Sequence, residues 1–309
     1  MKRFFDTFNN LYAVWLVALA IASFLHPPLM FWFGKEWIFW SLAASMLGMG
    51  LTLSLEDFKA IAKMPGAVAL GFGAQYTIMP LCGWLVATLL RLEPGLAVGI
   101  ILVGSCPGGM ASNMISYLAR ANVALSVVLT MCSTILAFFF TPMWTSLLAG
   151  NRVEVDVVQM SLSALQLTVA PVTLGVLIRW FLPKTADRIG ACGPTIAVLA
   201  FTFVTGGIVA ASAEAIASNF GRLALAALLL HLFGFGLGYA VTRLFRFDET
   251  IARTVSIEVG MQNGGMAAAL AKQHFAAMPL AAAAGVFSGV MQNIIGGLLA
   301  SWWKRRSDS

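Results

Sequence analysis

Glu258-Val259-Gly260-Met261-Gln262-Asn263-Gly264-Gly265-Met266 lies inside a mostly apolar run that extends from 251 to 275. The nine residues bring a carboxylate, two side-chain amides and three glycines to the middle of that run. If the run crosses a bilayer, an acid at its centre costs several kcal/mol, and an intramembrane acid is a functional residue by default. The glycines predict an interrupted helix. Backbone broken at membrane depth is tolerated only where protein buries it or a cavity receives it. The stretch therefore reads as an ion or substrate site built on a helix break.

The rest of the chain supplies the membrane setting. Of its 309 residues 60% are hydrophobic and 10% charged, and the mean hydropathy is +0.87. Soluble domains carry about 25% charged residues, so this is an all-α polytopic membrane protein. The alternating pattern of a membrane β-barrel is absent. A spanning helix needs about 20 apolar residues, and ten spans fit, at 11–24, 37–53, 66–90, 95–119, 122–148, 157–182, 191–212, 222–244, 250–275 and 279–303.

Charge sorts along this topology. One side collects Lys2, Arg3, Lys59, Lys63, Arg120, Arg179, Lys184, Arg188, Arg243, Arg246, Arg253, Lys304, Arg305 and Arg306, which is 14 of the 19 Lys and Arg residues. The other side has Lys35, Arg91, Arg152, Arg222 and Lys272. Cytoplasmic loops are the basic ones, so both termini are expected in the cytoplasm of a multi-pass protein of the cell membrane, the bacterial inner membrane. The net charge of +6 has that explanation, and no nucleic-acid partner is expected. No obligate protein partner is evident either. Cys82, Cys106, Cys132 and Cys192 lie in apolar spans without metal-ligand spacing, so they read as packing residues without a disulfide. The first span reads as a retained helix, since the basic start is followed by no convincing cleavage site.

Gly108-Gly109-Met110-Ala111 in the fourth span recurs as Gly264-Gly265-Met266-Ala267 in the ninth, 156 residues on. The chain then divides into a first repeat, 1–150, and a second, 151–309. Five spans in each half make the repeats inverted, and inverted repeats with matching broken helices are the signature of secondary transporters. Pro107-Gly108-Gly109 predicts the break in the fourth span. Glycines there could also serve only close helix packing.

Ser112 and Asn113 follow the first break. Ser126 and Thr130, four residues apart, share a helix face in the fifth span. Gln75 lies in the third span and Gln262 in the ninth. Taken singly, the hydroxyls would be packing groups and the glutamines interhelical hydrogen-bond formers. Together with Glu258 and the carbonyls of unwound helices they form an oxygen-only set, which suits a hard cation and not a transition metal. His231 stands alone in a leucine-rich span and reads as a hydrogen-bonded interior residue.

At these residues the sequence resembles the bile acid:sodium symporter family, in its bacterial branch. The likeness is carried by Gly104-Ser105-Cys106-Pro107-Gly108-Gly109-Met110-Ala111-Ser112-Asn113, by Tyr117-Leu118-Ala119-Arg120 and by Asn122-Val123-Ala124-Leu125-Ser126-Val127. A second block is Ile257-Glu258-Val259-Gly260-Met261-Gln262-Asn263, and weaker similarity covers nearly the whole chain. The resemblance implies a panel domain of spans 1, 2, 6 and 7 and a core domain of spans 3–5 and 8–10, with spans four and nine broken and crossing. It implies two sodium ions. The first would be held by Ser112, Asn113, Ser126, Thr130 and Glu258, the second by Gln75, Glu258, Gln262 and the carbonyls of Val259 and Met261. It further implies an organic-anion substrate in the cleft between core and panel. Relatives often carry His-Asn where this chain has Gln292-Asn293 and His231-Leu232, and a small hydroxylated residue at Met110. A bulky Met110 would favour a smaller carboxylate such as pantoate over a bile acid.

The expected substrate contacts are the amides around Gly108, Gly109 and Met110 and those of Gly264 and Gly265, with the side chains of Asn263 and Asn293. Each second half-helix starts with unpaired N–H groups and partial positive charge, which suits an anion without any arginine. The function expected is sodium-coupled symport of an organic anion by alternating access. A channel or a sodium-sensing receptor on the same scaffold is the alternative, disfavoured because the polar groups gather at one depth. An enzyme would need a nucleophile–base pair or a metal triad, and neither is present in the sequence pattern.

Overall fold

The computed structural model describes residues 12–53, 59, 63–190 and 193–308; Lys2, Arg3 and Cys192 lie outside them. Among the described residues the chain is all helix: α1 (Tyr12–Leu25), α2 (Lys35–Thr52), α3 (Pro65–Leu89), α4 (Pro94–Ser105), α5 (Ala111–Leu118), α6 (Val123–Ala149), α7 (Val157–Phe181), α8 (Pro183–Gly190), α9 (Gly193–Ala211), α10 (Ala213–Leu244), α11 (Glu249–Gly260), α12 (Gly264–His274) and α13 (Pro279–Asp308). Five of these, α3, α6, α7, α10 and α13, are long and apolar enough to cross a membrane by length and composition. Shorter apolar helices cover Val14–Leu25, Pro94–Ser105 and Val198–Ala211.

Helix starts follow local chemistry. Asn122, Asp156, Asp248 and Asn263 each cap a helix, accepting from the amide three residues on at 2.9–3.0 Å. Pro65 and Pro94 open α3 and α4, where a missing N–H is harmless. The ends of α3, α5 and α10 share one design. Arg91, Arg120 and Arg246 sit at φ 48, 52 and 62°. At each, the next residue donates to the carbonyl five back, as in Leu92 N–H to Ala87 and Phe247 N–H to Thr242. These are Schellman turns with arginine in the left-handed position that glycine usually takes. Arg91 and Arg246 are 155 residues apart, close to the spacing of the glycine motif.

Packing gathers two groups of helices, which meet where the first half of α7 lies against α6. α2 lies against α7 and α9, and α1 against α9. A Cβ on Gly50 would stand 2.2 Å from the Val172 carbonyl, and one on Gly175 2.5 Å from the Leu47 carbonyl, so α2 and α7 touch backbone to backbone. The second group gathers α3, α4, α6, α10 and α13 about the two broken pairs α4–α5 and α11–α12.

Four features depart from the sequence expectation. α10 begins at Ala213 rather than 222; its first turns carry Glu214, Ser218 and Asn219, so hydropathy does not register them, although they are helical. α13 continues past Trp303 through Lys304, Arg305 and Arg306, where basic residues suit the negative end of the helix dipole. The short helix α8 was not expected. Within α7, Leu165–Val169 is π-helical, a local widening that simple periodicity does not announce.

Candidate functional site

Both interrupted helices break where proline and glycine foretell it. α4 stops at Ser105 and α5 starts at Ala111; α11 stops at Gly260 and α12 starts at Gly264. The two unwound segments meet as an antiparallel bridge, Gly108 with Gln262. Gly109 N–H donates to the Met261 carbonyl at 2.9 Å, and Asn263 N–H donates to the Pro107 carbonyl at 2.8 Å. Each break thus satisfies the backbone of the other where water is scarce.

The bridge requires bare backbone. A Cβ on Gly108 would lie 2.2 Å from Glu258 Oε1, and one on Gly109 2.7 Å from the Gln262 carbonyl oxygen. A Cβ on Gly264 would meet the Gly285 carbonyl oxygen at 2.5 Å. Close crossing is therefore what these three glycines permit.

Glu258 is 1% exposed, and its carboxylate is the centre of an oxygen cluster. Thr130 Oγ1 donates to Oε1 at 2.6 Å; Ser112 and Ser126 donate to Oε2 at 2.7 and 3.1 Å. Ser126 also reaches Asn113 Oδ1 at 2.9 Å. All five residues expected at the first cation site thus converge from α5, α6 and α11. Among the described residues the ion pairs join Arg179 to Asp187 and Arg253 to Glu249, not Glu258. A buried charge without a counter-charge is costly, and these oxygens are the donor set a hard cation takes.

The second set is only partly assembled. Gln75 Nε2 donates to Gln262 Oε1 at 2.9 Å and to the Cys106 carbonyl at 3.0 Å. Gln262 Nε2 donates to the Val259 carbonyl at 2.7 Å. Gln75 Oε1 is buried with no hydrogen-bond partner, an open acceptor that a cation would satisfy. The Met261 carbonyl already accepts from Gly109, and its side chain is buried among Ile115, Phe235 and Ile257, so the carbonyl alone is on offer. Glu258 is hydrogen-bonded to Ser112, Ser126 and Thr130 of the first set.

The expected anion donors need revision. Gly108 N–H goes to Ser133 Oγ at 3.2 Å, and Gly109 and Gly264 N–H go to backbone carbonyls. Asn263 Oδ1 caps α12. Asn293 Nδ2 donates to the Gly289 carbonyl at 2.6 Å, while its Oδ1 is buried without a partner. Asn293 Oδ1 therefore offers an acceptor, suited to a ligand hydroxyl, beside the second N–H that Nδ2 keeps. Of the backbone donors expected, the amides of Met110 and Gly265 are left. Gly265 faces Leu42 of α2 and Phe201 of α9, across the boundary between the two helix groups.

Two more residues serve the break: Ser133, which sequence reading passed over, and His231, which is the hydrogen-bonded interior residue expected. Ser133 receives Gly108 N–H and donates to the Thr130 carbonyl at 3.1 Å. It follows Ser126 and Thr130 at helical spacing, and that stripe was the available signal. His231, fully buried, links the last carbonyl of α11, Gly260, at 2.8 Å to Ser288 Oγ of α13 at 2.7 Å.

A crevice of about 250 Å³ opens between α2, the π-helical turn of α7 and α12, walled in part by Lys35, Glu36, Trp40, Gln166, Lys272 and Gln273. Further along the same three walls Leu42, Met46, Leu167, Thr168, Asn263 and Met266 close down to a gap too narrow for a water molecule. Met46 belongs as well to an apolar cluster with Met49, Leu53, Met131 and Val172, against which Met110 packs.

The profile of the family described as "Sodium Bile acid symporter family" matches residues 39–219. The chain is 38% identical over 305 residues to "Probable sodium/metabolite cotransporter BASS2, chloroplastic" of Oryza sativa subsp. japonica, covering 99% of this chain and 73% of the relative. It is 36% identical over 296 residues to "Uncharacterized sodium-dependent transporter YocS" of Bacillus subtilis (strain 168), covering 96% and 91%. These relatives are named as transporters and not as enzymes. With a profile across more than half of its length and relatives along nearly all of it, the chain belongs to the sodium bile acid symporter family.

Proposed function

We propose that the protein is a sodium-coupled symporter of an organic anion, working by alternating access in the bacterial cell membrane with both termini in the cytoplasm. The observation that carries this reading is the Glu258 cluster: the hydroxyls of Ser112, Ser126 and Thr130, with Asn113 bonded to Ser126, surround a buried carboxylate at the crossing of two broken helices. Sodium is cargo here, and its binding would neutralise Glu258 and complete the core. A second ion would use Gln75, Gln262, the Val259 and Met261 carbonyls and Glu258, shared with the first ion; the unpartnered Gln75 Oε1 supports that count.

Ten spans in two inverted repeats, 1–150 and 151–309, account for the recurrence of the break motif and of the arginine-bearing Schellman turns at nearly one spacing. The panel reading joins α1, α2, α7 and α9, and the core reading joins the remainder except α8, in agreement with the two packing groups. The substrate would enter along the crevice with Lys35 and Lys272 at its mouth and meet the start of α12 at Asn263. The methionine cluster around Met110 closes the path beyond. A bulky thioether there favours a small carboxylate such as pantoate over a bile acid. The test is uptake of radiolabelled taurocholate, pantoate and other carboxylates into proteoliposomes, with and without an inward sodium gradient. Uptake of one anion that collapses with the gradient supports the reading; sodium-independent uptake of every anion refutes it.

A further inference from the structure

Gln292 has no part in the sites described so far, yet it makes the most complete contact with the unwound segment of α11–α12. Its side chain is 4% exposed. Gln262 N–H donates to Gln292 Oε1 at 2.7 Å, and Gln292 Nε2 donates back to the Gln262 carbonyl at 2.8 Å. One amide side chain therefore binds both polar groups of a single main-chain residue, as a neighbouring β-strand would. On its other edge the same segment is bridged to Gly108. The unwound backbone is thus the middle strand of a three-part ladder, with Gln292 acting as one edge.

α13 is built to present that amide. Gly285, Ser288 and Gln292 lie at i, i+3 and i+7 and form one helical stripe. Gly285 and Gly264 are so close that a Cβ on either would strike the other's carbonyl oxygen, at 2.6 and 2.5 Å. That contact sets the separation of α13 from the start of α12. Ser288 grips His231, which holds the Gly260 carbonyl. Gln292 then takes Gln262. A single face of α13 so fixes the break before, within and after the unwound turn.

We infer that Gln292 is a positioning residue of the cation site: it locks the Gln262 backbone so that the Gln262 side chain and the flanking Val259 and Met261 carbonyls stay turned towards the ion. The inference rests on the sodium reading above. Without the clamp, Gln262 N–H loses its partner in a buried place, and the segment can rotate to satisfy it, taking the ligand atoms along. Removal of a buried hydrogen-bond partner of this kind should weaken sodium binding about tenfold.

The test uses full-length protein in detergent and compares wild type with Q292M, which keeps the length of the chain and removes both bonds, and with Q292H, which can keep only one. Sodium binding is read by ²²Na⁺ tracer and by the rise in melting temperature as sodium replaces choline. The expected result is a half-saturating sodium concentration about tenfold higher in Q292M, an intermediate value in Q292H, and little change of melting temperature in choline. A merely structural role would lower the melting temperature equally in both salts and leave half-saturation where it was. If wild type binds sodium and both folded variants match it within twofold, the inference falls and the transport reading stands. If Q292M does not fold, a wild-type half-saturation in Q292H is enough to overturn it. If wild type itself shows no sodium-dependent signal, the transport reading falls first and the inference with it.

Discussion

Glu258→Gln isolates charge from shape. Glutamine keeps one oxygen for Thr130, which now donates to Oε1 at 2.6 Å, and the Ser112 and Ser126 hydroxyls can rotate to accept from the new amide. The variant should therefore fold. What it loses is the attraction between a carboxylate and a bound cation. A unit charge about 4 Å away is worth about 4 kcal/mol at an effective dielectric of about 20. That converts to a loss of about a thousandfold in sodium affinity. Glu258→Asp keeps the charge but withdraws it by one methylene from the three hydroxyls, so it should fall between the two. Tracer sodium binding to purified protein, titrated over several decades of concentration, measures both variants. Sodium-driven uptake should disappear in Glu258→Gln. A monodisperse Glu258→Gln whose half-saturating sodium concentration lies within about threefold of wild type, a free-energy change well under 1 kcal/mol, would remove Glu258 from the ion site.

Gly108→Ala places a methyl 2.2 Å from Glu258 Oε1, so the carboxylate must leave its hydroxyl cage; sodium-driven uptake should be lost, and wild-type uptake would show that the crossing is looser than described. Gln75→Ala and Asn113→Ala each delete one oxygen ligand and should raise the sodium needed for half-maximal binding, read by the same tracer titration. Esterifying the carboxylate of the transported anion should remove most of its sodium-dependent affinity, and Asn263→Ala, which uncaps α12, should narrow the gap between acid and ester; equal binding of ester and acid speaks against helix-end recognition. The pair Lys35→Gln and Lys272→Gln, at the crevice mouth, should raise the half-saturating anion concentration without changing maximal uptake. That effect should shrink as choline chloride is added, because exposed charges are screened within about 10 Å at 0.1 M salt.

The sequence by itself determined that the chain is a helical membrane protein, where its long helices run, and where two of them break. Each of those properties is local: an apolar run has to be helical to satisfy its own backbone, and proline with glycine weakens a helix wherever it occurs. The oxygen set around Glu258 was legible for a related reason. Carboxylate, amide and hydroxyl groups are rare in apolar spans, so those present had few partners other than one another. The tertiary structure alone decided how the remaining capacity is used. Gly108, Gly109 and Gly264 looked like anion donors, but all three amides go to protein acceptors: Ser133 of α6, the Met261 carbonyl across the crossing, and the Gln262 carbonyl of the same unwound turn. Gln292 stood out only as a departure from the relatives and Ser133 only as the end of a hydroxyl stripe, because an amide or a hydroxyl in a helix has no assigned role until the backbone it faces is known to be unwound. Asn293 was read as a donor and also presents an open acceptor, since its own helix takes one of its two N–H groups and leaves Oδ1 without a partner. Sequence reports which groups are costly to bury; which of them face each other depends on helix crossings in which residues 25 to 187 positions apart meet within hydrogen-bonding distance.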